Sequence, residues 1–354
     1  MTVASLQPLD QNQWQQLVGT FLDYNYRHLW AYSAACADLQ HARCEHVAIR
    51  SEHKIIGVAA VRIKTIPLLG TGLAYISGGP LIRRGQRGDV AHLAQALQAL
   101  REEYAVRRGY TLRMQLPPGS REWLEQAGEQ YKACGYGISA QSSAYRTIVL
   151  DLAPALETIR SRLAQKWRNQ LNAAERKEVQ IRSGTQGELW EQFIGLFEQL
   201  IERKNFQVEL DPRFYARIQN EHEAADRLLV SIATHHDRPV AGHIAALHGD
   251  TCFYLLGATS AVGLELKAAY LLQWHVIKTA HEQGLQAYDL GGIDPQGNPG
   301  VYLFKSRMGG EEITVPGPFE IVPQGIRGYM LRNAETLYRS LRQRRRASSV
   351  VRAE

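Results

Sequence analysis

Helical and strand-like stretches alternate along this chain in an order that occurs twice, and that order constrains the fold more than any single motif. In the first half, 13–39 has helical spacing, and 46–66 reads as a hairpin with a polar turn at Ser51 to Lys54. A strand at 73–82, a helix at 89–109, a strand at 111–117, a helix at 121–135 and a closing strand at 144–152 follow. The second half opens with helices at 154–177, 187–203 and 212–222, followed by a hairpin region over 227–260. A long helix over 266–286 carries Ala269, Leu272, Val276 and Ala280 at helical spacing, and 287–290 reads as a short buried strand. No exact repeat accompanies this order, so an internal duplication rests on the sequence of elements alone. Two helix-first units with mixed, largely antiparallel sheets flanked by helices make the chain α+β. At 354 residues it exceeds the size at which one core stops growing. The reading predicts one unit over 1–152, a second over 153–330, and a helix with a basic tail over 331–354.

With 45% hydrophobic and 21% charged residues, neither a disordered nor a fibrous class fits. The longest apolar runs fall short of a membrane span. The start, MTVASLQPLDQNQW, lacks a basic region and an apolar core, so no signal peptide is expected and the protein is placed in the cytoplasm. Cys36, Cys44, Cys134 and Cys252 form no CxxC pair and no set of zinc-like spacing. They are expected to be free buried thiols, with no metal site. His235 and His236 precede Asp237 and Arg238 at what reads as an exposed hairpin turn. A formal net charge of +6 suits an anionic partner without identifying one. Basic residues cluster at Arg83, Arg84 and Arg87, at Arg107 and Arg108, and at Lys166, Arg168, Arg176 and Lys177, as well as in the tail over 339–352.

The richest segment chemically is YDLGGIDPQGNPGVYLFKSRMGG, 288–310. A Gly-Gly pair ends the strand, a turn-forming loop follows, and VYLFKSRM resumes as a compact, helix-like turn that holds Lys305 near the strand end. An ammonium in such a place is suited to an oxygen that gains negative charge during acyl transfer. Asp289 and Asp294 are the candidate general bases, although Asp294, beside Pro295, reads more readily as a turn former.

This segment resembles the carboxy-terminal signature of the Fem-type (FemABX) peptidoglycan bridge-forming aminoacyltransferases. In that family an aromatic-Asp-x-Gly-Gly strand end leads through a variable loop to Tyr-x-Phe-Lys-x-x-x-Gly-Gly. The matching residues are Tyr288, Asp289, Gly291, Gly292, Tyr302, Phe304, Lys305, Gly309 and Gly310, with Met308 where the family usually has Phe. Further similarity lies in KWRNQLNAAERKEVQIRSG (166–184), YLLGATS (254–260) and ISGGPLI (76–82), and the likeness runs over roughly residues 40–325. Within 201–218, Arg203, Phe206 and Tyr215 match an Arg-x-x-Phe segment and the tyrosine after it, and Tyr254 matches a strand tyrosine near the acceptor.

The resemblance implies a tandem pair of acetyltransferase-like (GNAT, acyl-CoA N-acyltransferase-like) domains. It also implies transfer of an amino acid from aminoacyl-tRNA to an amine of a peptidoglycan precursor peptide, in interpeptide bridge formation for the cell wall. Lys305 would be catalytic, and Phe304, Tyr302, Tyr254, Tyr215, Arg203 and Asp289 would bind substrate. Aminoacyl-tRNA would be the donor, with no separate cofactor. A muropeptide or lipid-linked precursor would be the acceptor, and the basic tail would touch tRNA phosphates or the inner membrane surface. Where family members that bind a nucleotide-linked muropeptide have an arginine, four residues before the matched tyrosine, this chain has Asp211. The lysine expected shortly after Trp30 is replaced by the run Ala31, Tyr32, Ser33, Ala34. These departures leave the form of the acceptor open. Coenzyme A is disfavoured: RRGQRGD (83–89) has the wrong glycine spacing for a pyrophosphate loop, and GATSAVGLELK has no arginine. Two other readings remain, an acyl-CoA N-acyltransferase of envelope or exopolysaccharide synthesis and a non-catalytic protein that binds RNA or a synthesis complex.

Overall fold

The computed structural model describes residues 4–66, 70–85, 89–140, 143–204, 211–221 and 224–323. Phe206, Arg87 and the expected terminal helix and basic tail lie outside the described residues. The strands are β1 (Ser5–Pro8), β2 (Arg43–Ser51), β3 (Lys54–Ile66), β4 (Thr71–Ser77), β5 (Thr111–Gln115), β6 (Gly137–Ile138) and β7 (Tyr145–Asp151). They continue with β8 (Gln180–Gly184), β9 (Leu229–His235), β10 (Arg238–His248), β11 (Thr251–Thr259), β12 (Ala287–Asp289), β13 (Glu311–Val315) and β14 (Phe319–Ile321). The helices are α1 (Gln11–Val18), α2 (Trp30–Leu39), α3 (Val90–Leu100), α4 (Arg121–Ala133), α5 (Leu156–Arg162) and α6 (Gln165–Glu175). After them come α7 (Gly187–Lys204), α8 (Pro212–Gln219), α9 (Ala261–Leu266), α10 (Ala268–Glu282) and α11 (Pro299–Ser306).

Among the described residues the strands form two seven-stranded sheets, ordered β1-β2-β3-β4-β5-β14-β6 and β13-β7-β12-β11-β10-β9-β8. Each is antiparallel except for one parallel pair, β4 with β5 and β11 with β12. In both sheets the parallel pair is joined by a helical crossover, α3 in one and α9 with α10 in the other, so the two halves repeat one plan.

Two strands change places between the halves. β7, expected to close the first unit, lies in the second sheet between β13 and β12, with Tyr288 opposite Leu150. Its inward residues Ile148 and Leu150 are buried with Trp167, Ile277 and Leu290 in the second unit's core. β14, from the end of the second half, enters the first sheet between β5 and β6, where Phe319 stacks on Tyr131 at 4.4 Å and Glu320 pairs with Arg113 at 2.7 Å.

The expected long helices are broken where the backbone finds other partners. In 13–39, Asn25 caps a short 3-10 turn at Tyr26–His28, so the chain re-enters as α2 only at Trp30. Over 154–177 the chain is extended at Leu163 and Ala164, which separates α5 from α6. Asp211 is the N-cap of α8, accepting from Arg213 N and Phe214 N, with Pro212 in the first turn. A capping carboxylate therefore stands where the resemblance led to an arginine. His236 and Asp237 both have positive φ, 48° and 59°, and form the exposed turn between β9 and β10. The four cysteines are free, with Cys36, Cys134 and Cys252 buried and Cys44 half-buried.

A third core belongs to both halves: Trp14, Phe21 and Tyr26 pack with Phe193, Phe197, Phe214, Tyr215 and Phe253. Beside it Arg83 makes a two-pronged ion pair with Asp250, at 2.9 and 3.0 Å. The expected basic cluster at Arg83 is therefore not an open surface, and Arg84 lies over the Phe21 ring at 4.4 Å. Arg108 is likewise occupied, by Glu45 and Glu103 at 2.8 and 2.7 Å. Removing one partner of a largely buried pair strands the other charge. Asp250→Ala should thus lower stability to urea by about 3 kcal/mol, read as a fall in the denaturation midpoint.

Candidate active site beside the parallel strands of the second sheet

The register of β11 with β12 ends at Phe253 opposite Asp289, and beyond it the two strands part. β12 turns away at Gly291, whose φ of +74° favours glycine and where a Cβ would lie 2.9 Å from the Tyr254 carbonyl oxygen. The chain returns through an Asx turn, with Asp294 Oδ1 accepting from Gln296 N at 3.1 Å and Gly297 N at 2.8 Å. That occupation makes Asp294 a turn former. Pro299 then starts α11, and Lys305 lies in its last turn.

Lys305 is 5% exposed. Its Nζ donates to the Gly292 carbonyl at 3.0 Å and lies 4.7 Å from the centre of the Tyr254 ring, close enough for a cation–π contact. Burial lowers its pKa to about 8, with Asp289 acting in the opposite direction. Asp289 is 1% exposed. One carboxylate oxygen, Oδ1, accepts from Thr147 of β7 and from Gly291 N at 2.9 Å, while Oδ2 has no partner. Burial raises the pKa of this carboxyl, and Thr147, Gly291 N, Arg27 and Lys305 oppose the rise. The result is a buried ammonium and a buried carboxylate with one free oxygen at the end of a parallel strand pair.

Of the residues expected from sequence, the structure brings together Lys305, Asp289 and Tyr254. Tyr254 is seated against His243, ring centres 4.5 Å apart, and His243 Nε2 meets the Tyr288 hydroxyl at 3.1 Å while that hydroxyl donates to Gln273 at 2.8 Å. Burial keeps His243 neutral, with its pKa near 3. Tyr215 lies in the core shared by the two halves, 6.2 Å from Tyr32 and stacked on it. Phe304 packs on Tyr270 and Trp167 at 5.0 and 5.9 Å. Tyr302 donates to Glu312 at 3.1 Å. Arg203 donates to the Thr259 carbonyl at 2.8 Å, at the far end of β11.

Next to this cluster, meeting it at Gly292, a cavity of about 630 Å³ opens between the halves, with Gly292, Ile293, Asp294 and Asn298 on one wall. Arg27, Tyr75, Gly78 and Gln115 form the wall contributed by the first half, and Tyr145 stands between. Arg27, Thr147 and His243 were missed in the sequence reading. They lie on three separated elements and carry no spacing signal, although Arg27 sits in a run unusually rich in tyrosine, between Tyr24, Tyr26 and Tyr32. Among the described residues, no three His, Cys, Asp or Glu side chains gather as a metal site, and no helix is long and apolar enough to cross a membrane.

A family model described as an acetyltransferase (GNAT) domain matches residues 160–305, which includes Asp289 and ends on Lys305. No curated protein matches the sequence. Among solved structures, the crystal structure of FemX superposes with a TM-score of 0.78 at 15% identity, covering 94% of this chain and 100% of that one. A conserved protein of unknown function from Bacteroides thetaiotaomicron gives 0.57 at 12% identity, covering 90% and 98%. The C-terminal DUF2156 domain of an Agrobacterium fabrum protein, assigned there as a lysylphosphatidylglycerol synthetase, gives 0.50 at 12% identity, covering 75% and 81%. The chain therefore has the fold of FemX, two GNAT-like α+β units in tandem, and its candidate site lies in the unit that carries the GNAT match.

Proposed function

We propose that this protein is an aminoacyltransferase that moves an amino acid from aminoacyl-tRNA to an amine of a peptidoglycan precursor peptide. The observation that carries the reading is a buried Lys305 ammonium together with a buried Asp289 that has one unpartnered carboxylate oxygen, both at the strand end of an acyltransferase fold. An aminoacyl ester is already activated, so the enzyme needs to position the amine, take its proton and stabilise the oxyanion. Asp289 Oδ2 accepts the proton as the acceptor nitrogen attacks the ester carbonyl, and the Lys305 ammonium faces the oxygen that becomes negative. Collapse breaks the ester C–O bond, forms the amide, and returns the proton to the departing ribose oxygen. Tyr254 fixes the height of the ammonium, and His243 fixes Tyr254.

The donor side supports tRNA over coenzyme A. At the turn after β11 the Ser260 hydroxyl already accepts from Gly263 N at 3.1 Å, so that amide is not open to a pyrophosphate. Arg203, exposed beside Thr259, supplies a cation suited to a phosphate of a tRNA acceptor end. The test is incubation of the purified protein with labelled aminoacyl-tRNAs or labelled acetyl-coenzyme A, each with nucleotide-linked and lipid-linked muropeptides and with phosphatidylglycerol. Label passing from tRNA into the peptide is the expected result. Label passing only from coenzyme A, or only into the lipid, would replace the reading with an acetyltransferase or a lipid aminoacylase.

A further inference from the structure

Arg27 is the residue of the inter-unit cavity that the chemistry above leaves unused. It lies in the 3-10 turn Tyr26–His28, and its side chain passes Gly78, where a Cβ would sit 3.4 Å from Arg27 Cδ. The guanidinium lies 4.7 Å from the centre of the Tyr26 ring. Among the described residues it makes no ion pair and no side-chain hydrogen bond. Burial works against its charge, while the Asp289 carboxylate favours it. Arg62 does not line the cavity but lies at 5.2 Å over the ring of Tyr75, which does, also without an ion pair among the described residues. A half-buried guanidinium facing a cavity with its fork unfilled is arranged for a planar, doubly accepting anion, because five donors in fixed geometry match a carboxylate two at a time.

The position of this guanidinium limits what the anion belongs to. Arg27 and Gly292 line the same cavity of about 630 Å³, and the Gly292 carbonyl holds Lys305 beside the place where the proposed function puts the accepting amine, so an anion on Arg27 lies across that cavity from the amine, no farther than its width. A diphosphate at the far end of a muropeptide does not meet that limit, whereas a carboxylate on the accepting amino acid does. We propose that Arg27 forms a carboxylate subsite that selects an acceptor whose amine and carboxylate belong to the same amino-acid unit. The inference rests on the assignment of the amine to Asp289 and names the acceptor class more narrowly.

The test is calorimetric binding to the full-length protein, independent of donor and turnover. The probes are L-Ala-γ-D-Glu-X tripeptides in which X is meso-diaminopimelate, meso-diaminopimelate amidated at the carboxyl next to its side-chain amine, or L-lysine, with inorganic pyrophosphate as a further probe. A charge-assisted pair is worth roughly ten- to a hundredfold in affinity, so the unmodified diaminopimelate peptide should bind at least about tenfold more tightly than the other two. That preference should vanish in Arg27→Ala and persist in part in Arg27→Lys, with melting temperatures confirming that both fold. Equal binding of the three peptides, or a preference that survives Arg27→Ala, would overturn the proposal. Pyrophosphate binding lost on Arg27→Ala, without peptide discrimination, would overturn it in favour of a phosphate subsite. Failure of aminoacyl transfer with the peptide preference intact would count against the donor reading alone.

Discussion

Lys305→Ala is expected to lower turnover by roughly 10²–10³-fold, the usual cost of removing one oxyanion-stabilising donor, while the fold survives. Both halves of this expectation follow from the same burial. Inside the protein an ammonium acts on a developing oxyanion with little screening, which makes its loss costly to the transition state. The same burial makes the charge expensive to hold: a pKa lowered from 10.5 to about 8 means that the fold disfavours the ammonium by on the order of 3 kcal/mol. Among the described residues, only the Gly292 carbonyl loses a hydrogen bond when the Lys305 side chain is removed. Circular dichroism and thermal melting of Lys305→Ala and Lys305→Met should match or exceed wild type, and single-turnover transfer should collapse. A variant that melts early and transfers in proportion to its folded fraction would make Lys305 structural.

Asp289→Asn should cost roughly 10²–10⁴-fold, the contribution of a positioned general base, because the amide keeps the shape of the carboxyl but cannot take a proton. The pH dependence separates its role from that of Lys305. The active form has Asp289 ionised and Lys305 protonated. As pH rises through about 8 the ammonium is lost and the rate should fall. As pH falls through the Asp289 pKa, which burial lifts above the usual carboxylate range, the base is lost and the rate should fall again. Lys305→Arg should abolish the basic limb, since a guanidinium stays charged, and Asp289→Asn should abolish the acidic one. A rate that does not fall as pH rises through 8 in wild type would contradict the Lys305 assignment, and an acidic limb that persists in Asp289→Asn would contradict that of Asp289.

Lys305, Asp289 and Tyr254 were legible because local sequence fixes them: a strand that must end at Gly291, a loop of turn formers, and a helix that opens on Pro299. Asp289 could be named, and Asp294, beside Pro295, already read as a turn former; the structure adds that Asp294 Oδ1 closes that turn and that Asp289 Oδ2 has no partner. Arg27 was hidden by the reading of 13–39 as largely helical, which gives that position no distinguishing signal. Its orientation depends on Asn25 capping the 3-10 turn Tyr26–His28 and on Gly78 making room, two events on different elements. The exchange of β7 and β14 was unreadable for a different reason. Periodicity tells which face of a strand is buried but not which sheet it joins, and a three-residue strand after Pro316, Gly317 and Pro318 carries almost no pattern. The departures at Asp211 and after Trp30 put diphosphate recognition at those points in doubt, and Asp211 proves to be a helix cap. Arg27 lies outside the motifs in which those departures were found.

The most direct test of the account is a rapid-quench single turnover, with preformed labelled aminoacyl-tRNA mixed with excess enzyme and a peptidoglycan stem tripeptide, in wild type, Lys305→Ala, Asp289→Asn and the double variant. The account predicts a labelled amide product in wild type, loss of at least about 10²-fold in each single variant, and a double variant little worse than the poorer single one, since the two groups act on one transition state. Amide formation at the wild-type rate in either single variant would contradict it.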